Sequence, residues 1–505
     1  MANPLYDTLF GAHEGQDTPF LYLQDGTCLT HAMFLQMAAR YAHAFADLGA
    51  RAGDRLAVQV EKSPEALAVY AACVQSGIIF LPLNTAYTAD EVQYFVENSG
   101  ARILICDAAN KDALSTVAMA ADAALETLNG DGSGSLSQKA QGKPGQFDTV
   151  SRGEDDLAAF LYTSGTTGRS KGAMLTQTNL LSNARVLAEY WRFTDRDVLL
   201  HALPIFHTHG LFVATNITLI AGGAMIFLPR FDLDRILAEM PRATAMMGVP
   251  TFYTRLLDDP RFTRDLTAHM RLFVSGSAPL LAETHVRFHE RTGHRILERY
   301  GMTETNMNTS NPYDGERRAG TVGFALPGVE LKITDPESGE TLPDGEIGQI
   351  EVRGDNVFAG YWQMPEKTRE ELREDGFFIT GDLGRIDAQG YVHIVGRNKD
   401  LIISGGYNIY PKEIELVLDD QPGVLESAVI GVPHPDFGET VVGVLVPDGV
   451  STPDVPAINA AVAESLARFK HPRKLVILQE LPRNAMGKVQ KNQLRAQFGD
   501  LFQPD

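Results

Sequence analysis

From Arg55 to Val60 the chain is β-rich and mostly apolar (RLAVQV). Ser63, Pro64 and Glu65 then supply a helix start with a capping hydroxyl, a first-turn proline and a favourable acid. The helix they open carries Leu67, Val69, Tyr70, Cys73 and Val74 to a stop at Gly77, and a second apolar run, Ile78 to Leu83, follows at once. That is the pattern of a βαβ unit. Similar apolar strands are predicted at Ile103 to Cys106, Leu157 to Tyr162, Val198 to Leu203, Ala224 to Leu228, Met246 to Val249 and Leu272 to Val274. Most are separated by helix-length segments, as a doubly wound parallel sheet requires. Between Asp197 and Arg230 no Asp, Glu, Lys or Arg occurs, which by length alone would permit a membrane span. Pro204, His207, His209, Asn216, Thr218 and the pair Gly222 and Gly223 break that stretch, so a buried strand, helix, strand passage is expected instead.

The pattern changes twice. Between Asn129 and Gln146 Gly, Ser, Lys and Gln dominate, which predicts a solvated loop or connection without a functional role. After Gly320 short alternating strands (VELKITD, IGQIEVRG, YVHIVGR) predict an antiparallel or barrel-like subdomain. From Asn398 a smaller α+β unit follows, with helices near Pro411 to Leu418 and Val455 to Ala467 and strands near Ala428 to Ile430, Val441 to Val446 and Lys474 to Leu478. The expected domains are therefore 1–397 and 398–505.

With 505 residues, 44% hydrophobic and 21% charged, the chain is an ordinary globular one with room for a large core. Its net charge of −20 repels nucleic-acid backbones and anionic lipid, so neither is an expected partner. The three cysteines, Cys28, Cys73 and Cys106, form no CxxC pair, and no Lys or Arg precedes Arg40. A cytoplasmic protein without a disulfide framework or cysteine zinc site is expected. His207 and His209 form an HxH pair with no third ligand patterned nearby, which favours pocket lining over metal binding.

The sharpest local signal is Tyr162 to Gly172 (YTSGTTGRSKG), directly after a buried strand. Glycines let successive backbone N–H groups point into one concavity, hydroxyls add donors and a cation closes the ring, as a polyphosphate needs. A Walker A loop is excluded, because Gly172 follows Lys171 where a Ser or Thr would bind magnesium. This stretch resembles the phosphate loop of the adenylate-forming superfamily, which includes acyl-CoA synthetases, firefly luciferase and peptide-synthetase adenylation domains. SGSAPL from Ser275, RYGMTE from Arg299, TGDLG from Thr380, GRNKD from Gly396, GGYNIYPKEIE from Gly405 and PRNAMGKVQK from Pro482 match the same family in the same order. The resemblance implies a large N-terminal domain of doubly wound mixed sheets plus a β-barrel-like subdomain, with a small mobile α+β C-terminal domain.

It also implies roles. ATP would lie on Thr163, Ser164, Gly165, Thr166, Thr167, Gly168 and Lys171. Its adenine and neighbouring walls would be Ser277, Ala278, Pro279, Glu298, Tyr300, Gly301, Met302 and Thr303, with Tyr300 as an aromatic face. Glu304, with Thr163 or a neighbouring hydroxyl, would hold Mg²⁺, a hard cation that prefers carboxylate and phosphate oxygen. Asp382 would accept hydrogen bonds from the ribose hydroxyls, Arg397 would reach ribose or phosphate, and Lys399 would be the hinge of the small domain. Lys488 matches the adenylation lysine, a cation between an approaching carboxylate and the α-phosphate. Gly405 and Gly406 match the loop that shapes the pantetheine tunnel for CoA, with Glu413 orienting the strand. An accessible Lys488 also invites control by acetylation, hence an acetyltransferase and a deacetylase as partners.

The acyl substrate is read from Arg299, where many relatives carry a neutral residue. A fixed, bidentate-capable cation there suits a second carboxylate. In this feature, in the HTHGL run at His207 to Leu211 and in the ERYGMTE segment through Met307, the chain resembles the small malonyl-CoA synthetases. Malonate, ATP and CoA are the expected small-molecule partners. Ser277 and His209 would add hydrogen bonds, and the bulk of Thr208 and Met307 would limit α-substitution, leaving methylmalonate as the natural competitor. A salt bridge from Arg299 to Glu298 or another acid is the bland alternative. Other functions weighed are a short- or medium-chain monocarboxylate ligase, a free-standing adenylation protein that loads a carrier, and a luciferase-like oxygenase. None of these explains Arg299.

Overall fold

The computed structural model describes residues 2–163, 170–404, 407–435, 437–484 and 487–502. It divides into two compact units, Met1–Glu330 with Val352–Phe378, and Leu331–Glu351 with Ile379–Asp505. The βαβ pattern read from the sequence is present: the strands Arg55–Gln59 and Ile79–Pro82 pair in parallel across the helix Pro64–Ser76. Ser63 caps that helix through its hydroxyl, which accepts from Ala66 N–H at 3.1 Å, and Gly77 ends it at φ 70°, a left-handed turn that glycine enters without Cβ strain.

The first unit holds two sheets. One is six-stranded in the order Ala124–Thr127, Ile103–Cys106, Arg55–Gln59, Ile79–Pro82, Leu157–Thr163, Lys171–Thr176. Its strands run parallel except the last, which turns back antiparallel on Leu157–Thr163. The other is nine-stranded, with Leu297–Met302, Leu272–Ser275, Ala245–Gly248, Val198–His201 and Ala224–Phe227 as parallel neighbours in that order. One core packs against this sheet through Leu200, Ile226, Met246, Tyr253, Phe273 and Phe288. A separate core, with Ala57, Leu81, Leu104 and Phe160, packs against the six-stranded sheet. Ligand sites in such sheets form at the carboxyl ends of the strands, and Thr163, Ser275 and Glu298 to Met302 stand at those ends.

The uncharged stretch after Asp197 becomes the buried strand Val198–His201, a π-helical turn His209–Thr215, the helix Asn216–Ala221 and the strand Ala224–Phe227. Among the described residues no helix is long and apolar enough to cross a membrane. The segment 129–146 departs from expectation. It contains the helix Ser135–Ala140, whose Leu136 is fully buried and which lies against the helix His31–Asp47. One buried leucine suffices to dock six residues, a signal too small to stand out from the surrounding Gly and Ser.

The second unit contains a four-stranded sheet, Glu330–Thr334, Gly348–Arg353, Phe378–Ile386 and Val392–Arg397, and a five-stranded sheet built on the long antiparallel pair Val424–His434 and Gly438–Pro447. The helices Pro411–Asp419 and Val455–Ser465 stand where the sequence placed them.

Candidate functional site

In the first unit Thr163 and Lys171 face each other as the last register pair of the antiparallel strands, and the Thr163 hydroxyl donates to the Lys171 carbonyl at 3.4 Å. Ser164, Gly165, Thr166, Thr167 and Gly168 of the predicted phosphate loop, like Gly405 and Gly406 of the predicted CoA loop, lie outside the described residues. The Lys171 ammonium meets both carboxylate oxygens of Glu371, at 3.1 and 3.2 Å, and sits 4.1 Å from the centre of the Tyr361 ring. The Tyr361 hydroxyl lies 2.6 Å from Glu371 and 3.1 Å from Glu304. A phenol has one proton to donate, so the hydroxyl shares it between the nearer Glu371 and Glu304 and ties the two carboxylates together. Burial, then the charges of Glu304 and Glu371, push the Tyr361 pKa far up, which keeps that proton in place. Burial pushes Glu371 up as well, but hydrogen bonds from Tyr361 and Lys367 and the Lys171 charge outweigh it and hold the carboxyl below its usual range.

Glu304 itself is 5% exposed. Among the described residues no group of three or more His, Cys, Asp or Glu gathers as a metal cage. One preset carboxylate is nevertheless what a magnesium ion bound chiefly by phosphate and water requires, so the residues fit that ion.

Within the nine-stranded sheet the register Val274↔Leu297 and Ser275↔Glu298 carries Gly276 alongside Arg299. A Cβ at Gly276 would stand 2.3 Å from Arg299 Cζ, so a side chain there would displace the guanidinium from this position. Arg299 is 4% exposed, and its Nε and Nη2 have no hydrogen-bond partner among the described residues. Burial pushes its pKa down to about 9, which leaves it a cation at neutral pH. The expected alternative, a salt bridge to Glu298, does not form: the Glu298 carboxylate accepts from Leu280 N–H at 3.3 Å. Successive residues of one strand point to opposite faces.

Around Arg299 further polar groups converge. His209 Nδ1 is 3.2 Å from Ser277 Oγ, while His209 Nε2 and Thr208 Oγ1 are buried without partners among the described residues. Burial, then the neighbouring Arg299 cation, drives the His209 pKa well below its ordinary value, so the ring is neutral. Ser277 holds φ at 72°, a strained conformation for a residue with a side chain. Met307 is buried, and its side chain packs on Gly301. Tyr300, Gly301, Met302, Thr303, Ala278 and Pro279 lie along the same strand end and the loop beside it, all at least partly accessible.

In the second unit Asp382 and Arg397 are register partners on adjacent strands, and Arg397 Nε pairs with Asp382 Oδ1 at 2.9 Å. Lys399 is exposed in the short turn Asn398–Asp400. Lys488 is half-buried and belongs to a tight turn: its N–H donates to Asn484 Oδ1 at 3.0 Å, its carbonyl accepts from Asn484 N–H at 2.9 Å, and Gly487 takes φ 75°. Lys491, which a solvated basic tail would leave free, instead meets the buried Glu415 at 2.5 Å. Glu413 pairs with Lys470 at 2.6 Å.

Sequence reasoning passed over Tyr361, Glu371 and Gly276. Tyr361 and Glu371 carry no spacing signal relative to the phosphate loop, whereas Gly276 sits inside SGSAPL and lacked only the register that sets it beside Arg299.

Residues 11–362 match the family described as AMP-binding enzyme, and residues 413–488 match the AMP-binding enzyme C-terminal domain. A malonate-CoA ligase of Arabidopsis thaliana is 35% identical over 480 residues, covering 88% of this chain and 78% of that protein. A feruloyl-CoA synthase of an Amycolatopsis species is 37% identical over 479 residues, covering 94% of this chain and 95% of that one. The crystal structure of ATP-bound MatB from Rhodopseudomonas palustris is 56% identical, covers 100% of both chains and superposes with a TM-score of 0.98.

Proposed function

Since the chain belongs to the AMP-binding enzyme family, we propose that it is an AMP-forming acyl-CoA synthetase that activates malonate with ATP and transfers it to CoA. Likeness to the malonate ligase and to MatB, 56% identical, supports malonate, although the feruloyl-CoA synthase is also 37% identical. The observation that carries the choice is Arg299, a buried cation whose Nε and Nη2 meet no acceptor among the described residues. Burying an unpaired charge costs several kcal/mol, and an anionic substrate group offsets that cost. Acetate or a fatty acid would leave it unrelieved. Malonate carries one carboxylate to react and a second to pair with Arg299, assisted by His209, Ser277 and Thr208, with Met307 limiting bulk at the α-carbon so that methylmalonate is the competitor.

The reaction has two steps. A malonate carboxylate oxygen attacks the α-phosphorus of ATP, forming the acyl C–O–P linkage and releasing pyrophosphate. The CoA sulfur then attacks the acyl carbon, a C–S bond replaces the C–O bond to AMP, and the thiol proton is released. Thr163 to Gly168 and Lys171 bind the triphosphate. Glu298, Ser277 to Pro279 and Tyr300 to Thr303 line the nucleoside side, and Asp382 and Arg397 hold the ribose. Glu304, with Thr163, would hold Mg²⁺, which supplies charge neutralisation to the triphosphate. The mobile part is assigned to 398–505, turning about Lys399 to exchange Lys488 for the Gly405 and Gly406 loop and CoA. We place the reaction in the cytoplasm, with acetylation of Lys488 as a means of switching it off by removing the charge.

Pyrophosphate release with ATP, Mg²⁺ and CoA across acetate, malonate, methylmalonate, succinate and octanoate tests the reading. Malonate is expected to give the highest kcat/KM. A preference for acetate or octanoate would overturn the substrate and leave the adenylating chemistry standing. Replacing Tyr361 by Phe removes the bridge to Glu304 and Glu371 while keeping the ring under Lys171. The expected result is a rise of about 10- to 100-fold in the KM for ATP with Mg²⁺, the net worth of one hydrogen bond to a charged group, and little change in the KM for malonate.

A further inference from the structure

Lys62 lies between the strand Arg55–Gln59 and the Ser63 cap, is 7% exposed, and among the described residues has no carboxylate partner. Its ammonium donates to His201 Nδ1 at 2.8 Å and to the His201 carbonyl at 2.9 Å, and lies 4.2 Å from the centre of the Phe227 ring. A lysine donating to Nδ1 fixes the tautomer, so His201 carries its proton on Nε2 and donates to the Gly210 carbonyl at 2.8 Å. Thr215 Oγ1 donates to the same carbonyl at 3.0 Å. Gly210 is the second residue of the π-helical turn that begins at His209, and a Cβ there would meet the Pro204 carbonyl at 2.0 Å. The turn is thus pinned from two sides. A chain of hydrogen bonds runs from the end of a strand in the six-stranded sheet, through a histidine in the nine-stranded sheet, to the peptide next to the histidine that faces Arg299 and Ser277.

Isolated π turns mark functional positions often, and a buried ammonium without an acid is costly to keep. Holding two sheets together needs only apolar contact. We propose that Lys62 is a positioning residue for malonate recognition, acting through His201 and the Gly210 carbonyl to hold His209 in register with Arg299. The proposal rests on the malonate reading of the site.

The test is steady-state pyrophosphate release by the full chain for Lys62→Met and Lys62→Gln, with His209→Ala and the double variant Lys62→Met/His209→Ala. Expected is a rise of about 10-fold in the KM for malonate with the KM for ATP changed less than 2-fold, and a double variant no worse than His209→Ala alone, because residues acting in one chain are not additive. An unchanged malonate KM, a parallel rise in both KM values, or losses that multiply in the double variant would overturn it. So would the failure of both Lys62 variants to fold, which would make the lysine a structural tie. A wild-type enzyme that releases no pyrophosphate with malonate would instead remove the substrate reading, so the two failures are separable.

Discussion

Replacing Arg299 by Ala is expected to lower kcat/KM for malonate by about 10²- to 10³-fold while leaving acetate turnover unchanged or raised. The magnitude follows from truncating one partner of a buried charge pair, about 3–5 kcal/mol. The direction for acetate follows from Arg299 itself: its buried Nε and Nη2 have no acceptor among the described residues, and a substrate without a distal carboxylate supplies none. Arg299→Lys restores charge but not the planar fork and should recover only part of the loss. A second readout comes from stability. Burial holds the folded-state pKa at about 9, below the ordinary arginine value, so the protonated side chain opposes folding. That penalty is fully present below about pH 9 and fades only as the pH rises beyond it. Arg299→Met should therefore melt at or above the wild-type temperature, and malonate should raise the melting temperature of wild type but not of the variant. Kinetics that keep the malonate-to-acetate ratio in Arg299→Ala would place the distal carboxylate elsewhere.

What could be read in advance divides by range of interaction. The helix Pro64–Ser76 was legible to its ends because cap, first-turn proline and terminal glycine all act within a turn. The helix Ser135–Ala140 was not, because its single buried leucine finds its partner on a distant helix. The phosphate loop and Lys488 were visible as motifs, yet their surroundings were not. Glu371 is 200 residues from the Lys171 it neutralises, and Tyr361 is 57 from Glu304. Arg299 is the instructive case. The plain alternative for it is a salt bridge to Glu298 or another acid, family likeness makes it a pocket residue, and the strand register and the bare Gly276 beside it explain how it comes to be buried.

Replacing Lys488 by Ala is expected to slow malonate-dependent ATP–pyrophosphate exchange by about 10²- to 10³-fold while thioester formation from supplied malonyl adenylate and CoA falls less than 5-fold. One preorganised charge aimed at a developing negative centre is worth about 3–4 kcal/mol, which sets the first figure. The second rests on what holds the turn. Asn484 bonds the Lys488 backbone on both sides, Arg483 donates to the Gly487 carbonyl at 2.7 Å and pairs with Glu426, and Lys491 anchors the exit of the turn on the buried Glu415. These contacts run through the Lys488 backbone and through neighbouring side chains, so alanine keeps them while it removes the cation. Glu415 is held below its usual range because the charges of Lys491 and Lys412 and bonds from Lys491 and Val429 N–H outweigh its burial, so the anchor stays ionised at the pH of the assay. An equal fall in both half reactions would mean that the substitution disturbs the fold of the turn or that Lys488 serves both steps. Either result would withdraw its assignment to adenylation.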